Sequence, residues 1–219
     1  LQGINRKIVV LLQNKLPINN IEKDKKEQLM CGIIGYCGRK PASEVILEGL
    51  KRLECRGYDS SGICVGGYPD GFRIIKATGK IRNLLSVVPE RPFGHNGIGH
   101  TRWATHGGVT EANAHPHTDC SGNIAIVHNG IIENFEELRS LLQKKGHVFR
   151  SETDTEVIAH LVETCYKGDL TKAVLETLSL LKGTYGIVVM HRNHPDMMVG
   201  ARNGSPLIMG GGDDEMFLA

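Results

Sequence analysis

Five polar-dense segments of this chain are not accounted for by core packing: Arg56-Gly-Tyr-Asp-Ser-Ser-Gly, His100-Thr-Arg-Trp-Ala-Thr-His-Gly, Asn113-Ala-His-Pro-His, His128-Asn-Gly and Ser151-Glu-Thr-Asp-Thr-Glu. The second holds the sole tryptophan, Trp103, beside Arg102, with His106 four positions on from the arginine. Arg, Trp and His gathered where a strand ends have the composition of a ligand pocket, and the plain alternative is a surface turn. Among six cysteines, Cys31 stands apart because it follows Met30 and opens Cys31-Gly-Ile-Ile-Gly, the position of a candidate nucleophile. Cys37, Cys55, Cys64, Cys120 and Cys165 read as small packing residues. His100, His106, His115, His117 and His128 raise the question of a metal, but no His-x3-His pair or Cys-x2-Cys knuckle accompanies them, so no metal and no cofactor are expected.

These residues need elements to hold them. Cys31 to Tyr36 reads as a buried strand, and Val45, Ile46, Leu50 and Leu53 recur at helical spacing, which predicts a helix from about Ser43 to Glu54. Ile63–Val65, Phe72–Ala77, Gly97–Arg102 and Ile124–His128 are strand candidates, the last two running into polar, glycine-containing turns. Helices are predicted around Phe135–Leu142, stopped by Gly146, around Val157–Val162, and from about Leu170 to Leu181. Tyr185–Met190 and Met197–Ala201 return to strand. Strands and helices interleave without a strict βαβ rhythm, so layered sheets covered by helices fit best.

The bulk properties narrow the function further. A chain of 219 residues with 40% hydrophobic and 23% charged residues is long enough for one well-packed domain. The formal net charge of +2 comes from scattered Lys and Arg, which excludes a nucleic-acid footprint. The apolar run Ile8–Leu12 is shorter than the roughly 7–15 residues of a signal-peptide core and far short of a membrane span. The cysteine spacing fits free thiols in a reducing compartment, and a cytoplasmic protein is expected.

Taken together and in order, the opening Cys-Gly-Ile-Ile-Gly, Arg-Gly-Tyr-Asp-Ser, His-Thr-Arg-Trp-Ala-Thr-His-Gly, Asn-Ala-His-Pro-His, His-Asn-Gly-Ile-Ile-Glu-Asn and Ser-Glu-Thr-Asp-Thr-Glu resemble the class II glutamine amidotransferases, in their glucosamine-6-phosphate synthase branch. The resemblance covers residues 31 to 219. It implies an α+β fold, a four-layer αββα N-terminal nucleophile hydrolase sandwich. It also implies that Cys31, once it is the first residue, attacks the glutamine side-chain amide with its own α-amine as base. Such an amine titrates near about 7.7–8.0, close to working pH, whereas a peptide nitrogen is not basic. The family places the Asn129 amide and the Gly130 N–H on the tetrahedral oxyanion, although without that context Asn-Gly is a common turn dipeptide. By the same resemblance Arg102 takes the substrate α-carboxylate and Asp154 its α-ammonium, with N-capping of the following helix an equally available role for Asp154. Trp103, Thr105 and His106 would shape the pocket, and Arg56 would support the nucleophile. Full-length members pass the ammonia to fructose 6-phosphate and are expected to be homodimers. The rival branch is the phosphoribosyl amidotransferases, and Tyr58, Trp103 and His115 favour the synthase branch. An inactive glutamine-binding module is the reading from a different class.

Two departures accompany the resemblance. Residues 1 to 30 precede Cys31 and read as a non-family extension, either a cleaved leader or upstream sequence translated in frame, the latter being favoured. At the other end the sequence stops at Ala219, inside the family's glutaminase domain, so the fold is expected to be C-terminally incomplete, with an exposed sheet edge and marginal stability, and without the isomerase domains.

Overall fold

The computed structural model describes residues 7–12, 31–68, 71–91, 93–103 and 107–219. Its apolar runs alternate with a period of two, and both faces of each alternation find a partner. Along β7 (Ile124–Ile132), Ile124 and Ile126 join a cluster with helices while Ala125 and Val127 join a cluster between two sheets. A strand buried on both faces carries apolar residues at nearly every position, and for this reason the sequence shows continuous runs there. β8 (Gly183–His191) repeats the pattern, with Ile187 and Val189 toward helices and Val188 and Met190 toward the other sheet.

With β1 (Lys7–Leu12), β6 (His117–Thr118) and β9 (Met197–Asn203), these strands make a sheet of order β1-β9-β8-β7-β6. β1 runs parallel to β9 and the other pairs are antiparallel. The second sheet has the order β10-β11-β2-β5-β3-β4, all antiparallel, built from β2 (Gly32–Cys37), β3 (Ser60–Tyr68), β4 (Gly71–Thr78), β5 (Asn96–Arg102), β10 (Met209–Gly212) and β11 (Glu215–Leu218). Ile33, Cys64 and Ile98 of the second sheet meet Val127, Val188 and Met198 of the first in a shared core.

Helices cover the outer faces. α1 (Ala42–Leu53) and α2 (Ile81–Val87) bury Ile46, Leu50 and Leu84 against Tyr36, Ile63 and Val65. α3 (Phe135–Lys144), α4 (Thr155–Cys165) and α5 (Leu170–Leu178) bury Leu138, Ile158, Leu161 and Val174 against the first sheet. The layers are therefore α, β, β, α, the expected α+β sandwich.

Several elements differ from the sequence reading. β7 does not turn after His128. It continues through Asn129 and Gly130, which pair with Gly186 and Tyr185. Gly130 holds this course with φ +132°, and a Cβ there would stand 2.2 Å from the Thr184 carbonyl oxygen, so the site accepts no side chain. The dipeptide that favours hairpin turns is kept in the ladder by its neighbours on β8. Residues 7–12 of the segment read as a non-family extension form β1, whose Val9 and Leu11 pack with the helix-side cluster and Ile8 and Val10 with the inter-sheet one. Among the described residues, β1 lies at the outer side of β9 and ends the first sheet there. Of the cysteines read as packing residues, Cys37 and Cys64 are buried, but Cys55 is exposed and Cys120 lies among polar groups.

Candidate active site

Cys31 stands immediately before β2, and the register Gly32↔Thr101 sets it beside the last residues of β5. There the Trp103 N–H donates to Cys31 Sγ at 3.2 Å, and the thiol points back at the Trp103 carbonyl at 3.6 Å. Burial pushes the thiol above its ordinary value; the Trp103 N–H lowers it, Asp59 raises it and Arg102 lowers it. The balance is a protonated sulfur at neutral pH, which needs a base before it attacks.

The adjacent sheet supplies an amide. Asn129 Nδ2 donates to the carbonyl of Cys31 at 2.9 Å, while Asn129 Oδ1 lies 3.0 Å from His100 Nε2. The same His100 nitrogen lies 3.1 Å from the His128 carbonyl oxygen, so two acceptors define it as Nε2–H. Burial lowers the His100 pKa to about 3, leaving the ring neutral. His100 thereby fixes which end of the Asn129 amide faces Cys31. This positioning role is absent from the sequence reading, where His100 counted only among possible metal ligands. Position 100 on β5, facing 129 on β7 in the other sheet, has no local signature.

Arg102 is 3% exposed and donates to the carbonyls of Gly108 (3.2 Å) and Gly107 (3.3 Å), with Asp59 Oδ1 at 3.8 Å from its NH1. Asn113 and Glu152 tie the same loop down: Asn113 Nδ2 donates to Glu152 Oε2 at 2.9 Å, and the Gly108 N–H does so at 3.2 Å. Asp154 precedes α4 but makes no cap; its Oδ2 accepts the Ile132 N–H at 2.9 Å, across the end of β7. Trp103 is half-buried with its ring edge-on to Tyr58 at 5.1 Å. Arg56 is exposed at the end of the short 3-10 turn Glu54–Arg56, and among the described residues it makes no side-chain hydrogen bond to the site. Thr105 and His106 lie outside the described residues.

The remaining histidines of the sequence motifs form a buried stack. His115 lies 4.1 Å from His100 ring to ring and 4.6 Å from His117, and its Nε2 meets Thr155 Oγ1 at 2.9 Å, where His128 Nδ1 also arrives at 2.9 Å. Thr155 opens α4, so this network sets the helix start next to Asp154.

An αββα sandwich whose inner strand β2 directly follows a cysteine, with a side-chain amide presented from the facing sheet, defines the N-terminal nucleophile class of amidohydrolases. Within that class the chain belongs to the glutamine amidotransferase domain family, whose model matches residues 100–219. It is 53% identical over 191 residues to the glutamine–fructose-6-phosphate aminotransferase (isomerizing) of Thermus thermophilus, covering 87% of this chain and 31% of that protein. It is 55% identical over 194 residues to the enzyme of the same name from Pyrococcus horikoshii, covering 87% and 32%. The chain thus spans about a third of the length of these relatives. Among solved structures, the glutamine phosphoribosylpyrophosphate amidotransferase of B. subtilis superposes with a TM-score of 0.73 at 27% identity, over 85% of this chain and 41% of that one. A glutamine aminotransferase class-II domain protein from Silicibacter pomeroyi shares the fold, with a TM-score of 0.56 at 14% identity over 85% of this chain and 86% of that one.

Proposed function

We propose that this domain hydrolyses the side-chain amide of glutamine, and that the longer protein it belongs to delivers the ammonia to fructose 6-phosphate. The observation that carries the reading is that Cys31 is held from both sheets, its Sγ by the Trp103 N–H and its carbonyl by the Asn129 amide. The sulfur attacks the amide carbon while its proton passes to the α-amine that Cys31 exposes once the bond to Met30 is cut. The carbonyl electrons move onto oxygen, where Asn129 Nδ2–H and the Gly130 N–H donate. Collapse expels ammonia, protonated by the same amine, and leaves a thioester, which water opens to glutamate and the free thiol.

Arg102 offers its guanidinium to the α-carboxylate and Asp154 its carboxylate to the α-ammonium; both side chains are buried, which strengthens charge recognition. Trp103, Thr105 and His106 shape the pocket in this reading, and Arg56 supports it from the surface. No helix among the described residues is long and apolar enough to cross a membrane. A cytoplasmic enzyme that is dimeric at full length, with residues 1 to 30 removed from a domain of residues 31 to 219, completes the proposal. The relatives' names favour fructose 6-phosphate over phosphoribosylpyrophosphate as acceptor, the latter being named for a structure at 27% identity and the former for proteins at 53%.

The test is covalent capture. Protein beginning at Cys31 is expected to take up one equivalent of 6-diazo-5-oxonorleucine and lose it on Cys31→Ala; labelling elsewhere, or none, overturns the assignment. Asn129→Ala is expected to lower the glutaminase kcat about 10²–10³-fold, the loss typical of one oxyanion donor, with KM little changed. A KM effect alone would move Asn129 from the transition state to substrate binding.

A further inference from the structure

Away from the glutamine site, four side chains from three separate segments converge. Cys120 lies in the turn between β6 and β7, His147 in the loop after α3, and His160 and Glu163 one turn apart on α4. Cys120 Sγ is 3.6 Å from His147 Nδ1 and 3.5 Å from His160 Nδ1. The two Nδ1 atoms are 3.3 Å apart, and Glu163 Oε2 is 3.1 Å from the first and 3.3 Å from the second.

These separations are those of a tetrahedron's edges. Zinc bonds of about 2.0–2.1 Å to nitrogen or oxygen and about 2.3 Å to sulfur require edges of roughly 3.3–3.4 Å among N and O atoms and about 3.6 Å from sulfur.

The surrounding hydrogen bonds orient the ligand lone pairs inward. Thr164 Oγ1 spends its one proton on the His160 carbonyl at 2.9 Å, so at 3.2 Å it accepts from His147 Nε2–H. In a neutral ring that leaves the His147 Nδ1 lone pair facing the Glu163 carboxylate at 3.1 Å. His160 turns its Nε2 toward the Glu156 carboxylate, 3.6 Å from Oε1 and beyond hydrogen-bond reach; the negative charge there favours the proton on Nε2, and Nδ1 faces the same centre. Four lone-pair-bearing atoms in mutual contact repel unless positive charge lies among them. A shared proton meets two of them; one divalent cation meets all four.

We infer that Cys120, His147, His160 and Glu163 form a structural zinc site that clips the β6–β7 turn and the loop before α4 onto that helix. The donor set of one thiolate, two imidazoles and one carboxylate suits zinc over magnesium or calcium, and four protein ligands close the coordination shell, the mark of a structural site. None of the four belongs to the histidines weighed in the sequence. Ligand spacings of 27, 13 and 3 positions match no compact motif, so only the fold assembles them.

The test uses the full chain, reduced and stripped with a chelator, then titrated with Co2+ as a zinc surrogate. One equivalent is expected to bind, with the intense visible bands of tetrahedral cobalt and a thiolate-to-metal charge-transfer band. One equivalent of Zn2+ then bleaches both, and the metal-loaded chain melts at a higher temperature. Cys120→Ser should remove the charge-transfer band and weaken binding on the order of 100-fold or more, since outer-shell changes alone reach 10–100-fold. Cys31→Ala should retain the band. His147→Gln, on a half-exposed loop, gives the same loss where Cys120→Ser fails to fold. A pale octahedral spectrum without charge transfer, or binding unaffected by both ligand variants, overturns the site and leaves a proton-sharing hydrogen-bond cluster in its place. Because the readout is metal binding, failure here is separate from failure of the glutaminase reading.

Discussion

Cutting the bond between Met30 and Cys31 is expected to raise glutamine hydrolysis about 10²–10⁴-fold, the usual worth of a positioned general base. Cys31 Sγ is held above its ordinary pKa chiefly by burial, so almost none of it is thiolate at neutral pH. In the uncut chain the Cys31 nitrogen belongs to a peptide bond and has no basic lone pair. Released, it becomes an α-amine titrating near about 7.7–8.0, attached two bonds from the carbon that bears the sulfur. The rate of the cut form should therefore climb with pH through that range, because only the unprotonated amine accepts the thiol proton. β1 complicates the comparison, since removing residues 1 to 30 also strips a strand from the first sheet. A nicked protein that keeps residues 1 to 30 bound is the matched partner for the uncut chain. Equal rates from nicked and uncut forms would sink the amine-as-base mechanism, with Cys31→Ala giving the baseline for both.

How much of this was legible beforehand follows from the range of the interactions involved. Helices α1 and α3 to α5 declare themselves because their apolar spacing is local, and the strands buried on both faces do so as unbroken runs. β1 is equally apolar but pairs in parallel with Met197–Arg202, nearly the whole chain away, and nothing near Lys7–Leu12 announces that partner. At Asn129-Gly130 local and tertiary signals conflict, and pairing with Gly186 and Tyr185 wins over the turn preference. Asp154 shows the same limit. Its position before α4 fits a cap, yet the carboxylate is used across the chain by Ile132 N–H. The proposed glutamine site rests on ordered motifs, whereas His100, which orients Asn129, and the Cys120–His147–His160–Glu163 cluster emerge only when segments from different elements meet.

Acid should unfold this domain well above the range where carboxylates titrate. His100, His115 and His117 are buried together at the inner ends of β5, β6 and the loop between them. Burial is the leading cause that lowers each one, to about 3 for His100 and well below the ordinary value for the other two. Neighbouring histidines and Arg102 add to it, and Lys76 does so at His117, where Glu156 opposes. The sign follows from linkage. Unfolded, each ring binds a proton below about pH 6.5; folded, it stays bare, so stability is complete above pH 6.5 and falls as pH drops toward the folded values. Each such ring contributes up to about 1.4 kcal/mol per pH unit, so three give a limiting slope of about 4 kcal/mol per unit and a loss of about 6 kcal/mol by pH 5. Against a typical stability of about 5–15 kcal/mol, that is enough to bring the transition near or above pH 5. Urea midpoints measured between pH 4.5 and 8 in the presence of chelator, which removes any contribution from metal release, should fall steeply below pH 6.5. The slope should correspond to about three protons from this stack, with one more from His191, which burial lowers to about 4. His115→Gln, which keeps a side chain able to bond Thr155 Oγ1, should flatten the slope by about one proton. A profile level down to pH 5 would show that the buried imidazoles are already protonated in the fold, and that the network holding Asn129 and the start of α4 is cationic rather than neutral.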